Sequence, residues 1–428
     1  MQRVFVLDKN KKALTPCHPA RARQLLKSGR AKVIRKVPFT IILQDRLWED
    51  SAVPSMRIKI DPGSRTTGIA LVQSGGKVLW AGEVTHRGQQ IKDALESRRM
   101  IRRNRRSRLR YRQPRFDNRR RPEGWLPPSL NSRVHNVMTW TLRLCKFSPA
   151  QAISMELVRF DMQKMVNPEI SGVEYQQGEL MGYEVREYLL EKWGRKCAYC
   201  GAKDVPLEIE HINPKSRGGS NQVSNLTLAC TPCNQTKGAQ TAAEFGFPLI
   251  QAKAKQPLKD AAAVNATRWK LWRELTALGL PVEIGTGGRT KFNRRKQNLP
   301  KTHWLDAACV GRTGQNVYVP QAMTALEIKA TGHGRRQMCL MDKYGFPRTS
   351  PKQSSKVHGF QTGDMAYANV PSGKKAGVHR GRIAVRKTGY FRVGKTDGIS
   401  HKYCQLLQAA DGYEYSNKLK GEGIPHRS

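Results

Sequence analysis

The sequence has few acidic residues and lacks long apolar runs. It contains 33 Asp and Glu against 76 Lys and Arg in 428 residues, a formal charge of +43. A compact chain with this much like charge repels itself unless it binds a large polyanion, so nucleic acid is the expected partner. No apolar run approaches the roughly 20 residues that span a bilayer, and the N-terminus lacks the apolar centre of a signal peptide. We therefore expect no membrane association and a cytoplasmic or nucleoid location.

Cysteine is scarce, and its placement argues against a disulfide framework. Of nine cysteines, four form two C-x-x-C pairs, Cys197/Cys200 and Cys230/Cys233, with 29 residues between the pairs. Four thiolates with this spacing suit a closed tetrahedral Zn²⁺ site in a reducing compartment. We expect structural zinc at these four positions. The length allows roughly three domains and at least one sizeable core.

Residues 56–71 predict a strand, a tight turn and a second strand. The first strand alternates polar and apolar residues, ends at Asp61 in the turn sequence D-P-G, and a fresh apolar run starts at Gly68. A Gly75-Gly76 turn then leads into a third strand over 77–84, which gives an antiparallel set. Asp61 is thereby placed at a strand end, although D-P-G is also an ordinary turn sequence.

Two further carboxylates stand at the ends of predicted elements. Glu156 ends the apolar strand that begins at residue 151, and His303 and Asp306 share one face of a helix that opens at residue 303. Glu156 could instead be a surface residue, and Asp306 could be a charge that stabilises a helix start. Buried strand carboxylates are costly unless a metal or another cation neutralises them, so carboxylates on neighbouring strands would hold a divalent ion.

Residues 98–121 contain thirteen arginines, no lysine and one acid. A disordered basic tail is one interpretation, but a tail seldom lies in the middle of a chain. Guanidinium groups bind phosphate bidentately and stack on bases, so we favour a helix that becomes ordered against structured RNA. The predicted RNA contacts are Arg98, Arg99, Arg102, Arg103, Arg105, Arg106, Arg108, Arg110 and Arg112.

The cysteine pairs enclose a second group of reactive side chains. Glu210, His211 and Asn225 all lie between the pairs, and Asn234 comes directly after the last cysteine. Glu210 and Asn234 offer the oxygen ligands that Mg²⁺ prefers, and His211 can act as a general base towards water. Asn225 could brace a loop. A zinc ribbon that only binds nucleic acid is the alternative, but it would not need a strand-terminal Glu-His pair.

This arrangement over residues 184–245 resembles the HNH nuclease family, a ββα-metal finger. The resemblance implies that Glu210 and Asn234 ligate Mg²⁺, that His211 is the base and that Asn225 braces the loop. The family has either His or Asn at the final position, and this sequence has Asn there.

Asp61, Glu156, His303 and Asp306 resemble, in order and context, the split RuvC nuclease core with its RNase H-like fold. That resemblance implies that the three carboxylates ligate two Mg²⁺ ions and that His303 activates or orients water. An Arg-rich helix between the first two RuvC segments and an HNH finger between the last two resemble the IscB proteins, bacterial or archaeal transposon-associated relatives of the type II CRISPR effector nuclease.

The implied fold is α/β and multi-domain, with a split RNase H-like core, an inserted HNH finger, an Arg-rich bridge helix and a basic β-rich C-terminal domain. The expected C-terminal form is a small β-barrel that reads a DNA motif beside the target, or else a general RNA-docking surface. The expected segments are a small α+β module (1–54), RuvC I (55–92), the bridge helix (93–125), RuvC II (126–183), HNH (184–245), a linker with RuvC III (246–318) and the C-terminal domain (319–428).

The resulting hypothesis is an RNA-guided DNA endonuclease that works as a monomeric ribonucleoprotein. A structured guide RNA would pair with one strand of double-stranded target DNA, which the HNH site cuts, and the RuvC site would cut the displaced strand. Two alternatives stay open: a guide-free homing-type or junction-resolving nuclease, and a non-catalytic structural RNA-binding protein.

Overall fold

The computed structural model describes residues 2–108, 124–157, 181–256, 261–321, 323–332, 339–340, 342–344, 346–350 and 354–417. Across these ranges, no helix combines the length and the apolar character needed to cross a membrane.

The N-terminal module is a four-stranded sheet with one helix. Its elements are β1 (Val4–Leu7), β2 (Ala13–Cys17), α1 (Pro19–Lys27), β3 (Ala31–Arg35) and β4 (Thr40–Leu43), and the strand order is β2-β1-β4-β3. Pro19 suits the first turn of α1, and His18 caps the helix by accepting a hydrogen bond from Ala20 N. Strand β2 contains Pro16, a residue that weakens the sequence signal of a strand.

The next segment positions two of the candidate carboxylates. It comprises β5 (Met56–Asp61), β6 (Thr66–Gln73), β7 (Val78–Thr85), α2 (Gly88–Arg108), α3 (Pro128–Phe147) and β8 (Ala150–Glu156). Strands β5, β6 and β7 are antiparallel, as predicted, and β8 runs parallel to β5 with Ile60 opposite Met155. Because parallel strands end at the same edge of a sheet, Asp61 and Glu156 come together at the carboxyl ends of β5 and β8.

A smaller unit with its own core follows. It comprises α4 (Met181–Lys192), β9 (Leu207–His211), β10 (Leu226–Cys230), α5 (Thr231–Lys237) and α6 (Leu249–Lys255), with 3₁₀ turns at Lys215–Arg217 and Val223–Asn225. Strands β9 and β10 are antiparallel, and α5 contacts both. Leu189, Trp193 and Leu228 are buried in a hydrophobic cluster separate from that of the large sheet. We call this unit the finger.

The chain then returns to the large sheet. The elements are α7 (Ala261–Thr276), β11 (Val282–Gly285), α8 (Gly287–Lys296), α9 (His303–Ala308) and β12 (Leu326–Ala330), with a 3₁₀ turn at Arg312–Gly314. Leu271 and Leu275 of α7 are buried in the main core. Helix α9 crosses directly over Gly68 of β6, where a Cβ atom would lie 1.8 Å from the His303 carbonyl oxygen.

The C-terminal part is rich in strands. They are β13 (Lys356–Val357), β14 (Phe360–Gln361), β15 (Met365–Val370), β16 (Gly377–Ala384), β17 (Tyr390–Val393), β18 (Thr396–Ser400), β19 (Cys404–Gln408) and β20 (Tyr413–Asn417), with a 3₁₀ turn at His401–Tyr403. Five of them form a sheet in the order β18-β17-β16-β15-β19, in which β15 pairs with the last strand, β19. Phe391 and Ile383 anchor its core.

The large sheet has seven strands in the order β11-β8-β5-β6-β7-β12-β20. Strand β12 pairs parallel to β7, and β20 pairs antiparallel to β12. These two strands come from the segment after residue 319, so part of the region expected to form a separate C-terminal domain completes this sheet. The core on one face includes Trp80 stacked on Trp140 at 5.6 Å.

We predict that Gly68→Ala destabilises the protein by about 3 kcal/mol or more, because the added methyl group meets backbone rather than a side chain that can move. Thermal or denaturant unfolding measures the change, with Gln73→Ala on the same strand as the control. A fully stable Gly68→Ala variant would contradict the close approach of α9 to β6.

Candidate active sites

Three carboxylates meet at the carboxyl edge of the large sheet. Asp61 ends β5, Glu156 ends β8, and the first turn of α9 supplies Asp306. Burial, and then the neighbouring charges of Glu156 and Asp306, raise the pKa of Asp61 well above its usual range. Burial also raises the pKa of Asp306, although the nearby Arg294 opposes this effect. Buried carboxylates that lie near other carboxylates are suited to a divalent cation.

Two arginines hold the outer members of this group. The Arg268 guanidinium is 3.5 Å from Glu156 Oε1 and also donates to the Pro62 carbonyl at 3.0 Å. Arg294 Nε is 2.7 Å from Asp306 Oδ1. Among the described residues, the four paired cysteines are the only set of three or more possible ligands whose atoms all lie within 4.8 Å of one another. The three carboxylates lie near enough to affect the pKa of Asp61, but their oxygens are not all within 4.8 Å of one another. Glu156 and Asp306 instead contact arginines.

Buried side chains fix the C-terminal end of α9. Lys59 of β5 donates to two carbonyls at 3.1 and 3.0 Å, and Asn293 of α8 donates to two more at 2.9 and 2.8 Å. The acceptors are Ala308 and Val310 for the lysine, and Cys309 and Gly311 for the asparagine. Burial lowers the pKa of Lys59 to about 8. These bonds fix α9 relative to β5, and thereby Asp306 relative to Asp61. His303 is exposed at the first residue of α9.

The four paired cysteines come together in the finger. Their Sγ atoms all lie within 4.8 Å of one another, with Cys197 and Cys230 buried. Burial alone would raise the pKa of Cys197, but backbone hydrogen bonds from Cys230 and Cys200 lower it to about 7. Burial and the neighbouring cysteines raise the pKa of Cys233 to about 12, so metal binding would displace protons from this group. Four thiols at this separation could hold a tetrahedral metal ion.

The Glu210-His211 pair lies at the end of β9. Glu210 is buried and accepts hydrogen bonds from Tyr199 Oη and Lys237 Nζ, both at 2.5 Å. Tyr199 lies inside the first C-x-x-C turn, so its hydrogen bond links the cysteine group directly to the Glu210 carboxylate. His211 is partly exposed, and its Nε2 is 2.9 Å from Asn221 Oδ1.

Asn225 and Asn234 have different surroundings. Asn225 accepts from Asn213 N at 2.9 Å and donates to the carbonyls of Asn213 and Ser220 at 3.0 and 2.9 Å, which closes the loop after β9. Asn234 donates to Glu208 Oε2 at 2.6 Å. The hydrogen bond of Asn234 thus goes to Glu208, and the buried ion pair of Glu210 goes to Lys237.

Sequence reasoning missed several residues of both sites, although the finger gave usable signals. Glu208 precedes Glu210 by two positions, so both side chains point to the same face of β9. Lys237 follows Asn234 by three positions, which places the two on one face of α5. Arg268 and Arg294 gave no such signal, since each is one cation among many.

Helix α2 carries most of the predicted RNA-contacting arginines. Arg98, Arg99, Arg102, Arg103 and Arg106 are exposed along it. Arg105 is partly buried, with its guanidinium 6.0 Å from the Phe346 ring centroid. Arg108 ends the helix, and nothing is described of its side chain; Arg110 and Arg112 lie outside the described residues.

Comparisons with known proteins match two parts of the chain. Residues 4–178 match a family model described as RRXRR protein, and α2 contains the pattern R-R-N-R-R at residues 102–106. Residues 197–240 match the HNH endonuclease family model, which indicates a nuclease. No curated protein matches the sequence.

Two similar solved structures are of Streptococcus thermophilus Cas9. The match to its complex with the GGAA PAM has 13% identity and a TM-score of 0.23, and covers 60% of this chain and 32% of that chain. The match to the complex with the AGAA PAM has 12% identity, a TM-score of 0.22 and the same coverage. The alignment thus spans about a third of the Cas9 chain.

We predict that replacing Cys197 and Cys230 together with serine removes one bound zinc per chain and unfolds the finger, because a structural zinc site supplies folding free energy. Elemental analysis and limited proteolysis report the two effects, with cleavage expected within residues 181–256 and not in the large sheet. Cys145→Ser, a half-buried cysteine of α3, is the matched control and should retain zinc. Full zinc content in the double variant would refute the four-cysteine site.

Proposed function

We propose that the protein is an RNA-guided DNA endonuclease of the IscB type, with a RuvC site on an RNase H-like sheet and an HNH site in the finger. The observation that carries the proposal is the meeting of Asp61, Glu156 and Asp306 at one sheet edge, while Glu210 and His211 occupy a unit with a separate core. Two separate sets of hydrolytic groups suit an enzyme that cuts two DNA strands.

At the sheet edge, Asp61, Glu156 and Asp306 would ligate Mg²⁺. When bound, Mg²⁺ stabilises charge on the phosphate and makes its water more acidic. The chain's own contribution is position: Lys59 and Asn293 fix α9, so that Asp306 faces the two strand ends. His303, at the start of the same helix, would orient or deprotonate the attacking water. The proposed products are a 5′-phosphate and a 3′-hydroxyl.

In the finger, His211 would accept a proton from water as the new P–O bond forms and the P–O3′ bond breaks. The contact of Asn221 with Nε2 would orient the imidazole ring. Glu210 and Asn234 would hold Mg²⁺, once the Glu210 carboxylate leaves Lys237. The bond of Asn234 Nδ2 to Glu208 would orient the Asn234 amide, whose oxygen is the ligand atom. The cysteine group, with Zn²⁺, would hold the fold of the finger.

The exposed arginines of α2 support RNA as a partner. Five exposed guanidinium groups on one helix form a surface that binds phosphate. We propose that a structured guide RNA binds there and pairs with target DNA, that the HNH site cuts the paired strand, and that the RuvC site cuts the displaced strand. The basic C-terminal sheet would bind adjacent DNA or guide RNA. The complex would be a monomeric ribonucleoprotein in a bacterial or archaeal cytoplasm.

We predict that Asp61→Ala and His211→Ala each leave a nickase, and that the two variants nick opposite strands. Loss of the His211 base should slow its cut about 10²- to 10⁴-fold. The measurement uses the protein with the RNA that copurifies with it, after that RNA is sequenced to define the target, and strand-specific end labels on the DNA.

Thr66→Ala, on the strand beside Asp61, is the control and should cut both strands. If either site variant lost both cuts while still binding RNA and DNA, the two-site assignment would be wrong. A protein that purifies without RNA and still cuts DNA would favour the guide-free nuclease. Binding without cleavage by the wild type would favour the structural RNA-binding protein.

A further inference from the structure

Helix α8 presents one exposed face that the proposed sites do not use. Arg289, Phe292, Arg295 and Lys296 are exposed along it, and their spacing of three to four residues places them on the same side. Phe292 is 63% exposed, whereas most phenylalanines of globular proteins are largely buried. The helix contains no acidic residue. We call these four residues the α8 face.

The opposite side of α8 is attached to the carboxylate site. Arg294 is 2.7 Å from Asp306 Oδ1, and Asn293 is hydrogen bonded to the two carbonyls after α9. Phe292 directly precedes these two buried residues. The exposed aromatic ring therefore stands on a helix whose buried side is fixed to Asp306 and to the end of α9, rather than on a loop.

The α8 face also adjoins the finger. Arg295 donates to the Asp204 carbonyl at 2.7 Å, across a sequence distance of 91 residues. Burial, followed by the nearby charges of Arg195 and Arg295, lowers the pKa of Lys291 on the same helix. Crowded cations of this kind gain stability when a polyanion binds among them.

A single exposed phenylalanine is common on protein surfaces. This one stands on a helix that is fixed to the carboxylate site through its buried side, and cations flank it. An aromatic ring flanked by cations is typical of sites for single-stranded nucleic acid. In such sites the cations contact the phosphates along the nucleic-acid backbone, and a base stacks on the aromatic ring. A base inside a duplex cannot offer its face to a side chain, so the ring suits an unpaired strand.

We propose that the α8 face is a stacking platform for the single DNA strand that enters the carboxylate site, with one base on Phe292 and phosphates on Arg289 and Lys296. This inference rests on the proposed function, because it assigns the strand to the RuvC site. The proposed ligand is single-stranded DNA, and the test distinguishes it from single-stranded RNA.

The test is photocrosslinking of the full-length protein to a short thymidine-tract DNA strand that contains 5-iododeoxyuridine, in Ca²⁺ instead of Mg²⁺ so that no cleavage occurs. Mass spectrometry locates the crosslink. The expected result is a crosslink at Phe292 that Phe292→Ala removes and Phe292→Trp retains. At about 0.15 M salt, which weakens general phosphate attraction, Phe292→Ala should reduce affinity about fivefold or more.

Tyr318→Ala is the matched control. Tyr318 is 61% exposed and lies beside the β6–β7 turn, at the end of the sheet opposite Asp61, so its loss should not alter the crosslink or the affinity. A strand with abasic sites should bind wild type and Phe292→Ala equally. The proposal fails if Phe292 yields no crosslink, if Phe292→Ala and Tyr318→Ala weaken binding equally, or if an iodouridine RNA strand outcompetes DNA for the Phe292 crosslink.

Failure of the platform can be distinguished from failure of the nuclease assignment. Crosslinking in Ca²⁺ requires neither a guide nor catalysis, so it is measured independently of the strand cleavage that Asp61→Ala tests. A Phe292 crosslink in a protein whose Asp61→Ala variant still cuts both strands would retain the platform and reject the RuvC assignment. If the two variants nick opposite strands but Phe292 gives no crosslink, the RuvC assignment is retained and the platform is rejected.

Discussion

Burial of carboxylates close to one another at the edge of the large sheet is the constraint on which this structure depends. Burial, followed by the charges of Glu156 and Asp306, raises the pKa of Asp61, and burial also raises the pKa of Asp306, so a site of this kind persists only if cations compensate. Arg268 and Arg294 supply that charge here, from helices α7 and α8. The helices that follow the finger therefore also neutralise the site, which explains why the chain returns to the sheet after the finger.

In the finger, a lysine compensates the charge of a buried carboxylate. Lys237 of α5 neutralises the charge of Glu210, and Tyr199 of the first cysteine turn donates a hydrogen bond to the same carboxylate. In both sites, a basic side chain contacts a carboxylate to which we assign Mg²⁺. Metal binding would then exchange one cation for another, and the energetic cost would be the displacement of an ion pair rather than the exposure of a bare carboxylate.

The sequence predicted the features that depend on local patterns. Strand β5 with its terminal Asp61, the antiparallel strands to residue 84 and the helix at His303 follow from periodicity and turn residues. The ββα form of the finger was an expectation from the resemblance to the HNH family. The cysteine group follows from its spacing. The arginine and lysine partners could not be predicted, because contact between Arg268 and Glu156 depends on how α7 packs on the sheet. Strands β12 and β20 were missed as members of the large sheet for the same reason: their pairing with distant strands leaves no local signal.

The central claim is that the three carboxylates bind divalent metal in place of the arginines. A crystal structure of the full chain with Mn²⁺, analysed by anomalous scattering, tests it most directly. The account predicts two Mn²⁺ ions roughly 4 Å apart, bound by Asp61, Glu156 and Asp306, with Arg268 and Arg294 turned away from Glu156 and Asp306. Saturating Mn²⁺ with no anomalous peak at this edge, and both arginine pairs intact, would contradict it.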